Sequence, residues 1–284
     1  MKKTIKRFCC ILAGLALTMS ADAAVVRDSI QSRVLGAKRY FMVYLPAGFQ
    51  RNPERHYPIL YLLHGLTDDE RAWQDKGQMD RVADELMASG EAQQMVIVMP
   101  CAGGPDTKNI WNGYFNMKGW SFEDHFFQEL LPTVEQKYRA GGSREQRAIA
   151  GLSMGGGGSV GYALSHPDMF SACYPMSAWL DADVRPDAAP DDKMTILSAA
   201  VHEHNPLTKL DNASDAELNA MRQINFFLDC GDDDFLFEQN TELYKKLRQK
   251  RFNAQLRVRD GGHTWEYWHN ALRLCLPFVS RNFK

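Results

Sequence analysis

Arg147-Ala148-Ile149-Ala150-Gly151-Leu152-Ser153-Met154-Gly155-Gly156 is the stretch that decides the fold. Its first part is short and apolar, as a buried strand is, and a helical run through Tyr162-Ala163-Leu164 follows. Between them lies a G-x-S-x-G pentapeptide. A strand that turns sharply into a helix holds its serine in a strained conformation, and the flanking glycines let the two elements pack closely. The start of the helix also presents free N–H groups and a positive dipole to any oxygen that becomes negative. Ser153 is therefore the candidate nucleophile. A plain glycine-serine loop is the bland alternative, and the strand and helix on either side argue against it.

Outward from this turn, short apolar runs alternate with longer helical patterns. That rhythm predicts a single α/β domain with a mostly parallel central sheet flanked by helices. Residues 39–45 (RYFMVYL) alternate as a strand and end at Pro46. Residues 59–63 (ILYLL) and 95–99 (MVIVM) are continuously apolar, as central strands covered on both faces are. Residues 147–150, 172–176, 225–229 and 255–258 supply further strands, and helical patterns fall at about 78–88, 122–138, 155–165, 236–250 and 264–280. One stretch, about 185–221, is rich in Asp, Ala and Pro and too long for a simple connection. It predicts a partly helical insertion forming part of the active-site wall, with Ser214 capping a short helix through Asp215 and Glu217.

A serine hydroxyl is a weak nucleophile until a base takes its proton. Of the eight histidines, His263 is best placed, after strand 255–258 and the turn Asp260-Gly261-Gly262. It also fits the chain order nucleophile, acid, histidine. His269 is the rival, but it falls inside a helical run where packing is its role. The acid should follow the preceding strand, where Asp229-Cys230-Gly231 leads into Asp232-Asp233-Asp234. Charge alone leaves all three open, since one acid can hold the imidazole tautomer while the others face water. Two N–H donors must face the developing oxyanion. Met154, next after the nucleophile, supplies one. Leu66, in the His64-Gly65-Leu66 turn past strand 59–63, supplies the second, and His64 itself is expected to brace that turn.

Trp111, Tyr114, Phe115 and Trp120 cluster in a glycine-bearing segment past a strand's C-terminal end, where binding sites form. Core filling is the default role. Trp111 and Tyr114 are the candidates for substrate binding, as a stacking platform for a sugar or phenolic ring. His202-Glu203-His204 invites a metal, but two histidines two residues apart project to opposite sides of an extended strand. No third ligand lies at useful spacing, so no metal is predicted. The run Gly155 to Gly158 lacks the Lys-Ser/Thr of a phosphate loop.

The whole chain has 284 residues, 45% of them hydrophobic and 24% charged, which suits one globular domain. A net charge of −2 points to neither a nucleic-acid partner nor an anionic membrane surface. Residues 1–23 read as a signal peptide: Lys2, Lys3, Lys6 and Arg7, then an apolar run from Phe8 to Met19, then Ala21-Asp22-Ala23. The run falls short of the roughly 20 residues that span a bilayer, so stable membrane insertion is not expected after cleavage. An uncleaved anchor is the alternative. The expected mature domain, 24–284, would then be periplasmic or extracellular. It keeps Cys101, Cys173, Cys230 and Cys275, expected as buried free thiols rather than staples. Nothing in the sequence sets the oligomeric state.

Several of these stretches occur together in a recognisable order. They are Tyr61-Leu62-Leu63-His64-Gly65, Val98-Met99-Pro100, Glu129-Leu130-Leu131-Pro132, Gly151 to Gly156, Asp229-Cys230-Gly231 with Asp234, and Gly261-Gly262-His263-Thr264-Trp265-Glu266-Tyr267-Trp268. Taken together they resemble the esterase D-like esterase family of the α/β-hydrolases. That family includes the feruloyl and acetylxylan esterases of carbohydrate esterase family 1, S-formylglutathione hydrolases and mycolyltransferases. The likeness runs over about residues 30 to 283. It implies an α/β-hydrolase fold and a triad of Ser153, His263 and Asp234, with Asp233 as the alternative acid. It also implies oxyanion donors at Leu66 and Met154, and no metal or organic cofactor. Together with the leader, it implies a secreted serine carboxylic-ester hydrolase removing acetyl or feruloyl groups from plant polysaccharide or oligosaccharides. Two other outcomes stay open: an acyltransferase using the same triad, and an inert carbohydrate-binding protein.

Overall fold

Strands with no polar face must sit where helices cover both sides of a sheet, and the continuously apolar runs of this chain do so. The computed structural model describes residues 22–103, 110–183, 189 and 191–284. Among them run β1 (Ala24–Gln31), β2 (Lys38–Leu45), β3 (Ile59–Leu63), β4 (Val96–Pro100), β5 (Asn116–Met117), β6 (Trp120–Ser121), β7 (Arg147–Leu152), β8 (Ala172–Met176), β9 (Asn225–Gly231) and β10 (Ala254–Arg259). The short β5 and β6 pair with each other, and the other eight form one sheet in the order β1-β2-β4-β3-β7-β8-β9-β10. The pairs β1–β2 and β2–β4 are antiparallel; from β4 to β10 every neighbour is parallel. The mostly parallel α/β sheet is as expected.

Alternate residues of each strand feed two separate cores. Tyr61, Leu63, Val98, Ile149 and Phe226 face one way, against the helices Leu131–Tyr138, Met154–Ser165 and Phe237–Gln249. Leu60, Leu62, Ile97, Ala148, Ala150 and Tyr174 face the other, against Met79–Ser89 and Trp265–Asn282. The helical path predicted over 122–138 forms with a π turn, Phe126–Leu130, between two α segments. Pro132 follows that turn and has no N–H to give to a regular ladder. β1 escaped the sequence reading because Arg27 and Asp28 interrupt its alternation, which an edge strand paired on one side tolerates. The expected signal peptide lies outside the described residues, except for Asp22 and Ala23.

The described part of the insertion is helical: Lys193–Glu203, Pro206–Asn212 and Asp215–Met221. Each helix has a side-chain N-cap. Asp192 accepts from Thr195 N–H, Asn205 from Leu207 N–H, and Ser214 forms the expected capping box with Glu217. The insertion meets the aromatic segment, where the His204 ring lies 4.1 Å from Phe115 and nearly parallel to it. Among the described residues, no helix is long and apolar enough to cross a membrane.

Candidate active site

β7 ends at Leu152, and the next residue, Ser153, sits at φ 53° and ψ −117° before the helix Met154–Ser165 begins. A positive φ at a residue with a Cβ is strained and persists only where its surroundings hold it. Here Ser153 N–H donates to Met176 O at 2.9 Å, while Ser153 O accepts from Gly157 at 3.0 Å and Trp179 at 2.9 Å. The sharp turn also demands the flanking glycines. A Cβ on Gly151 would stand 2.3 Å from Gly155 O, and one on Gly155 would stand 2.5 Å from His64 O. The second contact brings the helix start directly against the His64 turn.

At the C-terminal edge of the same sheet, the loops after β9 and β10 converge on this serine. His263 Nε2 lies 2.9 Å from Ser153 Oγ, and His263 Nδ1 lies 2.9 and 3.1 Å from the two oxygens of Asp234. The Asp234 side chain is fully buried, whereas the imidazole keeps 20% of its surface. Burial pushes the Asp234 carboxyl up. Hydrogen bonds from His263, Leu236 N–H and Ser177 outweigh it and hold the group below the usual carboxylate range. Asp232 and Asp233 are exposed. Asp232 instead accepts from Gly261 N–H at 3.1 Å, stitching the loop that carries His263. Of the three acids, Asp234 alone meets the imidazole.

Met154 is the first residue of its helix, so its N–H has no acceptor within the helix. Leu66 follows Gly65 in the facing turn, half-buried against the core. His64 braces that turn with both ring nitrogens: Nε2 accepts from Ala102 N–H at 3.1 Å, and Nδ1 faces Gly65 O at 2.7 Å. Burial pushes its pKa down, which suits a neutral ring donating through Nδ1. His269, the rival base, faces Gly77 O from within the helix Trp265–Asn282.

Residues 32–278 match the model of the family described as "Putative esterase". The chain belongs to this esterase family. A solved ferulic acid esterase shares 48% identity with it and superposes at a TM-score of 0.86, over 92% of this chain and 99% of that one. FphF, a Staphylococcus aureus fluorophosphonate-binding serine hydrolase, is similar at 25% identity and a TM-score of 0.75, over 91% and 99%. An endo-1,4-beta-xylanase/feruloyl esterase of Xylanibacter ruminicola is 34% identical over 131 residues, which are 45% of this chain and 18% of that protein. The chain thus spans less than a third of the first curated relatives it matches.

The aromatic segment of this family member divides differently from expectation. Tyr114 is not available as a stacking platform: its ring is fully buried, its hydroxyl donates to His64 O at 3.0 Å, and its carbonyl accepts from Tyr162 Oη at 2.5 Å. Trp120 is buried too, and its Nε1–H donates to Ala102 O at 2.9 Å. Trp111 remains half-exposed, beside Met117, Lys118 and Ile196. The His202-Glu203-His204 stretch closes a helix rather than running extended, with His204 as its C-cap: His202 Nδ1 lies 2.8 Å from Asp181, and His204 stacks on Phe115. Cys101, Cys173, Cys230 and Cys275 are free and buried.

Three further residues support the site and were given no role by sequence reasoning. Trp268 lies edge-on to the His263 ring at 4.8 Å and donates through Nε1 to Ser177 Oγ at 3.0 Å. Ser177, at φ 46°, in turn hydrogen-bonds Asp234. Asp229 accepts from Tyr174 Oη at 2.7 Å, Tyr267 Oη at 2.6 Å and Arg259, so it ties down the chain on both sides of the His263 loop. The signal for Ser177 was its position just past the C-terminal end of β8.

Proposed function

We propose that this chain is a secreted serine carboxylic-ester hydrolase that removes feruloyl or acetyl groups from plant polysaccharide or oligosaccharides. The observation that carries the activity is the unbroken hydrogen-bonded chain from Ser153 Oγ through His263 to Asp234. Secretion rests on the leader pattern of residues 1–23, and the aromatic acyl group on 48% identity to a ferulic acid esterase.

Ser153 Oγ attacks the ester carbonyl as His263 Nε2 takes its proton, and buried Asp234 steadies the resulting imidazolium. The carbonyl oxygen becomes negative between the N–H groups of Leu66 and Met154, which are fixed before the reaction and need no reorganisation. Collapse of the tetrahedral adduct breaks the bond to the alcohol oxygen, which leaves with the proton from His263. Water then enters, gives its proton to His263 and attacks the acyl-serine. Expulsion of Ser153 Oγ, reprotonated by His263, frees the carboxylic acid. No step asks for a metal or an organic cofactor. Trp111, half-exposed at the edge of the insertion, is the candidate platform for a substrate ring.

The test compares p-nitrophenyl acetate and methyl ferulate as substrates for the mature wild type and Ser153→Ala. Turnover of both esters, lost in the variant, is the expected result, with methyl ferulate preferred if the pocket takes an aromatic acyl group. Retained turnover in Ser153→Ala would reject the mechanism. Analysis of products in the presence of a sugar acceptor separates hydrolysis from acyl transfer, and free ferulic acid as the main product is expected.

A further inference from the structure

Phe235 directly follows Asp234 and is 77% exposed, while its ring centroid lies 4.5 Å from that of His263. A large aromatic ring left in water usually gains more by turning into a core, and Phe235 is held from doing so. The residue before it and the one after are pinned by the same turn: Leu236 N–H donates to Asp234 Oδ1 at 2.9 Å, and Phe237 N–H to Asp234 O at 2.9 Å. The backbone that fixes the triad acid therefore also fixes Phe235 against the outer side of the imidazole. Buried Trp268 meets the same imidazole edge-on at 4.8 Å.

We infer that Phe235 is the platform for the alcohol half of the ester, taking the C–H face of the sugar ring that leaves. The reasoning is geometric and rests on the esterase function proposed above. His263 Nε2 must hand its proton to the alcohol oxygen, so that oxygen lies within hydrogen-bond reach of the imidazole when the acyl group is on Ser153. The rest of the alcohol then extends past the solvent-facing side of His263, where the Phe235 ring is the exposed apolar surface. An aromatic face meets the apolar C–H face of a sugar without asking for hydrogen bonds in return. A methyl alcohol is too small to cover the ring.

Two feruloyl esters that differ only in alcohol isolate this contact: methyl ferulate and a feruloylated arabinoxylan oligosaccharide. Both give the same acyl-enzyme, so any change in their relative kcat/KM arises while the alcohol is attached. The quantity read is the ratio of kcat/KM for the oligosaccharide to that for methyl ferulate. Phe235→Ala is expected to lower the ratio about tenfold, the size of one lost aromatic contact, mainly through KM for the oligosaccharide. Phe235→Trp is expected to restore it. Equal losses on both esters would overturn the inference by showing that the ring acts through His263. An unchanged ratio would overturn it as well. Wild-type enzyme inactive on both esters would reject the esterase function itself, a result distinct from either of these.

Discussion

The hydroxyl of Tyr114 donates to the backbone carbonyl of His64 at 3.0 Å, so a fully buried ring steadies the turn that carries Leu66, the proposed oxyanion donor. Removing that hydroxyl leaves a buried carbonyl without this partner while keeping the shape of the ring. Tyr114→Phe is therefore expected to cost about 1–2 kcal/mol of stability, measured by urea unfolding. On the proposed mechanism its kcat should fall several-fold with little change in KM, because an oxyanion donor at Leu66 N–H would act mainly in the transition state.

The three-acid turn separates cleanly by position. Asp234 is buried on His263 and Asp233 is exposed. Asp234→Asn is expected to lower kcat by about 10³ to 10⁴, the size of effect seen when a triad acid no longer holds the imidazole tautomer. Asp233→Asn should stay within about twofold, as exposed substitutions away from a partner do. Steady-state kinetics on one ester decide the matter, and equal losses at the two positions would contradict it.

Glu129 joins the β1–β2 turn to the helical path beneath it. Its carboxylate accepts from Ser32 Oγ at 2.5 Å, Arg33 N–H at 2.8 Å and Val34 N–H at 3.2 Å, and it faces His125 Nδ1 at 2.8 Å. Burial pushes its pKa up, but these bonds bring it down from 4.5 to about 2. A carboxyl depressed on folding stabilises fully above its unfolded value, and the contribution fades as pH falls through the folded one. Glu129→Gln should thus cost on the order of 2 kcal/mol at neutral pH. Denaturant curves for variant and wild type are expected to converge as the pH falls from about 4.5 towards 2.

Four buried thiols predict redox indifference. Burial pushes Cys101 up to about 11 and Cys173 and Cys230 to about 12, so little thiolate exists at neutral pH. A thiol reagent should label none of Cys101, Cys173, Cys230 and Cys275 in the native protein and all of them in denaturant. Reducing agents should leave the melting temperature unchanged.

Much of this site was legible because the chemistry lies in loops at strand ends, and the strands announce themselves as apolar runs. The elbow at Ser153 and the order Ser153, Asp234, His263 follow from that layout. What the sequence does not carry is exposure. Tyr114 and Trp111 stand three residues apart in one aromatic stretch, yet the first is core and the second half-exposed. An apolar residue such as Phe235 reads as core by default, although the turn around Asp234 holds it in water. Among Asp232, Asp233 and Asp234, family resemblance chose Asp234 where charge could not; in the fold Asp234 is the one buried beside the His263 ring. The helix that ends at Glu203 brings His202 to Asp181 and His204 to Phe115, partners distant in sequence.

The central claim is that Ser153 carries the acyl group between two displacements. The direct measurement is acid quenching of wild-type enzyme during turnover of methyl ferulate, followed by peptide mass analysis. One feruloyl group on the peptide containing Ser153, absent from Ser153→Ala, is the predicted result. Turnover with that peptide unmodified, or with the label on another residue, would contradict the account.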